Sequence, residues 1–131
     1  MSLENSVCRD YITEKLQRAH DNYMVPLVFN DKIYKHILPP HSYIAVDTFA
    51  SMTALVDHLK YLINNDTAYM QYHTWRRDYE IDNTLELGKC ELCAKLVREQ
   101  NRESIRENIP HWYGPDNGVC TSNYGRTIHA S

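Results

Sequence analysis

Apolar and polar positions along this chain fall into runs whose period changes, and the changes mark the elements. Ile12, Leu16, Ala19 and Tyr23 recur at i, i+4, i+7 and i+11, so residues 11–22 read as an amphipathic helix with Asp10 as its N-cap. Val25 to Phe29 is a short continuous apolar run behind the turn-prone Asp21-Asn22, the pattern of a buried parallel strand. Asn30-Asp31-Lys32 reads as a loop, Pro39-Pro40 forbids regular structure, and Tyr43 to Val46 is the next strand. Met52, Leu55, Val56, Leu59, Leu62 and Ile63 trace one helical stripe, the cleanest period in the chain. Asn65 or Asp66 would cap a third helix running to about Arg77, and a fourth spans roughly Leu85 to Gln100. Strand and helix alternate, which predicts an α/β layer architecture on a parallel sheet.

Residues 101–131 break this pattern. Asn, Gly, Pro and Ser punctuate them without a sustained period, which predicts a mostly irregular tail after a domain over residues 1–100. Within the tail, Ile109-Pro110-His111-Trp112-Tyr113 is apolar enough to dock onto the domain.

Composition narrows the function classes. The 131 residues suffice for one domain's core, and 43% apolar content with mixed charge describes a globular chain. A net charge of −3 and the lack of any long basic run argue against nucleic acid as the main partner. Trp75-Arg76-Arg77 is the one compact basic cluster and reads as a solvated helix face. No signal peptide is visible, and no apolar run approaches the roughly 20 residues of a membrane span. The four cysteines, Cys8, Cys90, Cys93 and Cys120, are ambiguous by count. Asn65-Asp66-Thr67 makes Asn65 a glycosylation candidate.

The chemistry concentrates at Leu3 to Leu16. This stretch ends a strand, turns through polar residues and opens a helix with Glu14 beside Lys15 in its first turn. A helix N-terminus offers unpaired N–H groups and partial positive charge, which suit a phosphate. Lys15 adds a mobile full charge for the same anion, and Glu14 supplies an acceptor for ribose hydroxyls. The pattern points to a sugar-nucleotide diphosphate.

The same residues resemble a known family. Glu4-Asn5-Ser6 followed by Asp10-Tyr11-Ile12-Thr13-Glu14-Lys15-Leu16 is similar to the donor-binding motif of the alpha-1,3-fucosyltransferases, glycosyltransferase family ten. Further landmarks follow in the family's order: Val25-Pro26-Leu27-Val28, Leu38-Pro39-Pro40-His41-Ser42-Tyr43-Ile44, Asp47-Thr48-Phe49, Leu59-Lys60-Tyr61-Leu62, Tyr69 to Trp75-Arg76, and Cys90-x-x-Cys93. The resemblance runs from about residue 2 to about residue 97.

The resemblance implies a Rossmann-like, three-layer parallel sheet with helices, the C-terminal half of a GT-B glycosyltransferase, N-terminally truncated. Family members bind GDP-fucose in this half and the acceptor sugar in the other, and invert the anomeric centre as GDP leaves. Their base, a carboxylate of the acceptor domain, has no counterpart here, so no catalytic residue is assigned in this chain. The acceptor domain and the donor domain's opening strands are expected to be absent, since Met1 stands just before the family's Phe-Glu-Asn, with Leu3 in place of the phenylalanine. By the same resemblance Lys15 neutralises the GDP diphosphate, Glu14 bonds ribose or sugar hydroxyls, and Asn5 and Tyr11 contact the donor. The implied parent activity is transfer of fucose to N-acetylglucosamine of protein- or lipid-linked glycans. The rival from another class is an inactive fragment or pseudoenzyme that binds nucleotide weakly or associates with a partner.

The family's cysteines matching Cys90 and Cys93 are disulfide-bonded, to each other or to cysteines upstream; here a mutual bond, free thiols or a zinc site stay open, zinc lacking a second paired ligand motif. No Asp-x-Asp triplet occurs, which removes the usual metal–diphosphate bridge; no required cofactor is expected, and manganese stays open although no ligand set predicts it. The family's setting is the lumenal side of the Golgi membrane, with an anchor far upstream. Gln17, Asp21-Asn22-Tyr23 and Phe29-Asn30-Asp31 depart from the pattern, the last where a Gly-Pro pair is common. Missing strands would leave a naked sheet edge, which predicts self-association.

Overall fold

The computed structural model describes residues 1–81, 85–103, 105, 107–109, 119–121 and 124, with backbone alone at 85–87. Two short strands, β1 (Leu27–Val28) and β2 (Ile44–Ala45), pair in parallel with Leu27 opposite Ile44 and Val28 opposite Ala45. Successive strand side chains point to opposite faces, so the pair sorts its residues into two clusters. Val28 and Ala45 pack with Leu16 of α1 (Glu14–Asp21) and Tyr34 of α2 (Asp31–Tyr34). Ile44 and Leu27 meet Leu55 and Leu62 of α3 (Met52–Ile63), with Ala68 and Tyr69 of α4 (Asp66–Gln71) beside them. The strand expected before Glu4 is reduced to one sheet-type bond, from Ser2 N–H to the Leu27 carbonyl at 3.0 Å. It lies on the far side of β1 from the bond that Ile44 N–H makes to Pro26.

The first helix starts later than its apolar spacing predicts. Asp10 is not the N-cap: its backbone is left-handed (φ 64°), and it is the third residue of a turn closed by Tyr11 N–H on the Cys8 carbonyl at 3.3 Å. Asp tolerates that conformation better than most residues, so it turns the chain rather than starting the helix. Thr13 becomes the N-cap instead. At the other end, Met24 N–H bonds the Ala19 carbonyl and Tyr23 N–H the His20 carbonyl, the paired closure of a Schellman motif. Tyr23 occupies its left-handed position (φ 55°), usually a glycine's, with the Arg76 guanidinium 4.5 Å over its ring.

Asn30-Asp31-Lys32, expected as a loop, opens α2. The Asn30 side chain accepts from Lys32 N–H at 2.9 Å, and Asp47 accepts from Asp31 N–H at 2.8 Å. The turn-forming residues cap a helix of four residues, too short to leave a periodic signature. Asn30 itself is extended (φ −134°), a backbone conformation that does not require glycine.

The α3 boundaries match the predicted stripe, with Ser51 accepting from Ala54 N–H as N-cap. The buried face is narrower than the stripe: Leu55 and Leu62 are buried, whereas Met52, Val56 and Ile63 are exposed. Asn65 caps α4 by accepting from Ala68 N–H at 3.0 Å. That helix ends at Gln71 rather than near Arg77, and a separate 3-10 turn over Thr74–Arg77 buries Trp75. The last helix, α5 (Leu85–Arg98), matches its predicted start and is exposed from Gly88 onward.

The tail is not wholly irregular. Cys120 pairs with Cys8 in an antiparallel bridge and a disulfide 112 residues apart in sequence. Residues 110–113 of the expected docking segment lie outside the described residues. No helix among those described is long and apolar enough to cross a membrane.

Candidate functional site

The loop from Glu4 to Thr13 brings its two ends together on one buried carboxylate. Glu4 is 6% exposed. Its Oε1 accepts from Thr13 N–H at 2.9 Å and from Thr13 Oγ1 at 2.7 Å, and its Oε2 accepts from Lys15 Nζ at 3.2 Å. Thr13 therefore spends its hydroxyl on Glu4 rather than on capping α1. Burial pushes the Glu4 carboxyl up, but the Thr13 and Lys15 bonds outweigh it and hold the group below its ordinary value. A buried carboxylate with three donors is a fixed anchor, and it aligns the first turn of α1.

Lys15 bridges Glu4 and the Leu3 carbonyl, the latter at 3.2 Å, with its side chain 42% exposed. It is thus a positioned ammonium with an open side, at a helix end where Leu16 N–H turns to the Thr13 carbonyl at 3.4 Å and the Glu14 and Lys15 N–H groups lack the i−4 acceptor of a helix interior. Glu14 is exposed beside it, Asn5 is exposed on the loop, and Tyr11 is half-buried. All four sequence-predicted donor residues therefore lie on one loop and the helix turn it leads into. Glu14 lines a cleft of about 550 Å³ with Gln17 and His20 of α1, Leu38, Trp75 and Tyr79, while Asn5, Tyr11 and Lys15 lie outside its lining.

The floor of that cleft is tied to α1. Buried His20 donates from Nε2 to the Ser42 carbonyl at 3.1 Å, and its ring lies 5.0 Å from that of Trp75. Arg76 donates to the His20 carbonyl and stacks on Trp75. Burial lowers the His20 pKa, the Ser42 bond partly offsets this, and the nearby Arg76 charge lowers it further. The basic cluster read as a solvated face is therefore partly structural: Trp75 is buried and Arg76 pins the end of α1.

The other candidates fall elsewhere. Cys90 and Cys93 are exposed free thiols on α5 rather than bonded to each other, and the disulfide joins Cys8 to Cys120. A Cys-x-x-Cys pair draws attention by its spacing, whereas a partner 112 residues away leaves no local signal. Asn65 has both ends of its amide engaged, as the α4 cap and as a donor to Tyr61 Oη at 3.1 Å. The anchoring group absent from the sequence-predicted donor residues is Glu4. Its signal was an acidic side chain directly after an apolar start, with Thr13 and Lys15 on one face of the turn it must meet.

Comparison with known proteins places the sequence in a family. Residues 1–112 match the family model of glycosyltransferase family 10 (fucosyltransferase), C-terminal part. An alpha-(1,3)-fucosyltransferase of Caenorhabditis elegans is 38% identical over 122 residues, covering 86% of this chain and 28% of that protein. Alpha-(1,3)-fucosyltransferase C of Drosophila melanogaster is 38% identical over 96 residues, covering 73% of this chain and 22% of its own length. The 4-galactosyl-N-acetylglucosaminide 3-alpha-L-fucosyltransferase 9 of Mus musculus is 33% identical, covering 86% and 32%. The chain thus spans about a third or less of these relatives. The position of the Glu4–Lys15 loop at the mouth of α1, the parallel strand pair behind it and the match over residues 1–112 identify the chain as a member of glycosyltransferase family ten, the fucosyltransferases.

Proposed function

We propose that this chain forms the GDP-fucose-binding part of an inverting alpha-1,3-fucosyltransferase, which transfers fucose to N-acetylglucosamine of protein- or lipid-linked glycans. The observation that carries the reading is Lys15, held by buried Glu4 at the N-terminal turn of α1 with one side open. In this reading the donor diphosphate meets the first-turn N–H groups of α1 and draws the Lys15 ammonium toward it. As the bond from fucose to GDP breaks, negative charge grows on the diphosphate, and a prepositioned cation and helix end stabilise it without reorganising. Glu14 is exposed on the same turn and takes ribose or sugar hydroxyls. Asn5 and Tyr11 bound the donor from the loop. The general base and the acceptor site are assigned to no residue of this chain, so the donor half is what it contributes.

The finer architecture belongs to the same proposal: a Rossmann-like, three-layer half of a GT-B enzyme. Apolar clusters on both faces of the β1–β2 pair support it. A Golgi lumenal setting follows from the family, and the Cys8–Cys120 bond suits it, because disulfides persist in oxidising compartments.

Calorimetric titration of the 131-residue chain with GDP-fucose tests the reading. Saturable binding is expected, weakened about tenfold or more by Lys15→Ala, which deletes a charge-assisted bond, and less by Glu14→Ala. A folded chain that takes up no GDP-fucose would overturn it.

A further inference from the structure

The donor loop is held from inside by Glu4, and the segment around Cys120 holds it from outside. Arg9 N–H donates to the Val119 carbonyl at 2.8 Å, and Thr121 N–H donates to the Val7 carbonyl at 2.8 Å. Between these bonds the Cys8–Cys120 disulfide closes the pair, and Val7 and Cys8 are buried beneath it. Three residues beyond Thr121, the Tyr124 ring meets Phe29 edge-on at 5.6 Å. Its hydroxyl donates to the Phe29 carbonyl at 2.8 Å and also bonds the Asn30 side chain. Phe29 directly follows β1, and ligands of parallel α/β sheets bind outside the carboxyl ends of the strands. Described residues of the tail thus contact both the donor loop, at 119–121, and the strand end that a nucleotide would face, at Tyr124.

We propose that residues 119–121 and Tyr124 act as a positioning strap, in which Cys8, Cys120 and Tyr124 hold the donor loop and the end of β1 in the arrangement that binds a nucleoside diphosphate. The nucleotide role rests on the donor-binding reading above. Asn5, Ser6, Arg9 and Asp10 are exposed, so side-chain burial orders the loop only at Val7 and Cys8, where the Cys120 segment bonds it. The strap supplies that order before the ligand arrives, and order supplied in advance appears as affinity. None of the strap residues need touch the ligand.

Two readouts on the 131-residue chain test this: GDP affinity by calorimetry, and amide hydrogen exchange at Arg9 and Thr121, with α3 as internal reference. In Cys8→Ser/Cys120→Ser, exchange at both amides rises about tenfold or more while α3 is unchanged, and GDP affinity falls by a similar factor. Tyr124→Phe keeps the disulfide and the ring, and lowers GDP affinity about threefold through the lost hydroxyl bond. It also carries the test if the double variant does not fold. Unchanged exchange at Arg9 in a folded double variant would overturn the strap, as would unchanged GDP affinity in both variants. Failure of the folded parent chain to bind GDP would instead overturn the donor-binding reading, and the exchange arm alone would then decide the strap.

Discussion

The loop from Glu4 to Lys15 and the helix α5 show how differently two landmarks of one family pattern are held. The loop has little regular structure, yet its ends meet on a buried carboxylate and its middle is bonded to a distant segment. The helix has regular hydrogen bonds throughout, yet its described side chains are exposed from Gly88 to Arg98, Leu92, Leu96 and Val97 included. Secondary structure is therefore a poor guide to where this chain is tied down. Buried polar contacts with partners far along the sequence sit around the candidate donor site.

The sharpest break in that comparison is Glu4→Ala set against Leu96→Ala. Removing the Glu4 carboxylate leaves the Thr13 N–H and hydroxyl and the Lys15 ammonium without their shared acceptor. The expected loss is about 2–3 kcal/mol, because hydrogen bonds to charged groups lie at the upper end of the range. Leu96 is 61% exposed, so its truncation should stay within about 0.5 kcal/mol. Denaturant melts of both variants decide it. A Leu96→Ala cost well above 1 kcal/mol would mean that α5 is covered in solution.

A smaller effect separates the loop from the α1–Trp75 contact by pH. His20 is lowered by burial, so between its folded value and the ordinary value near 6.5 the unfolded chain binds the extra proton. Stability from this group is full above about pH 6.5 and is lost as pH falls through the folded value. His73, lowered by burial and by Arg76, acts in the same direction. Glu4 is also lowered, so its contribution is present above its ordinary value near 4.3 and is lost further into acid. Melting temperature should fall in two stages, the first from neutral to about pH 5.5 and flattened by His20→Gln, the second below about pH 4.5 and flattened by Glu4→Gln. A melting temperature constant from pH 7 to 5.5 would contradict the buried neutral His20.

Much of this was legible in the sequence where a residue's role depends on near neighbours. The α3 boundaries followed from apolar spacing, and Asn65 or Asp66 signalled the α4 cap. The strand positions at Leu27–Val28 and Ile44–Ala45 lay inside the predicted apolar runs. What failed depended on backbone or distant partners. Asp10 looked like a cap, but its left-handed turn moved the helix start to Glu14. Asn30 looked like a loop residue because caps and turns use the same side chains. Glu4 could not be ranked above other surface acids without knowing that Thr13 and Lys15 fold back onto it, and Cys8 could not be paired with Cys120 across 112 residues.

The most direct test of the central claim is a residue-resolved map of GDP binding on the 131-residue chain, by amide chemical shifts during titration. The account predicts saturable shifts concentrated from Glu4 to Gln17 and at Phe29–Asn30, with α5 silent and the changes around Lys15 weakened in Lys15→Ala. Saturable shifts centred on α5 or α4, with the Glu4–Lys15 loop unmoved, would contradict it.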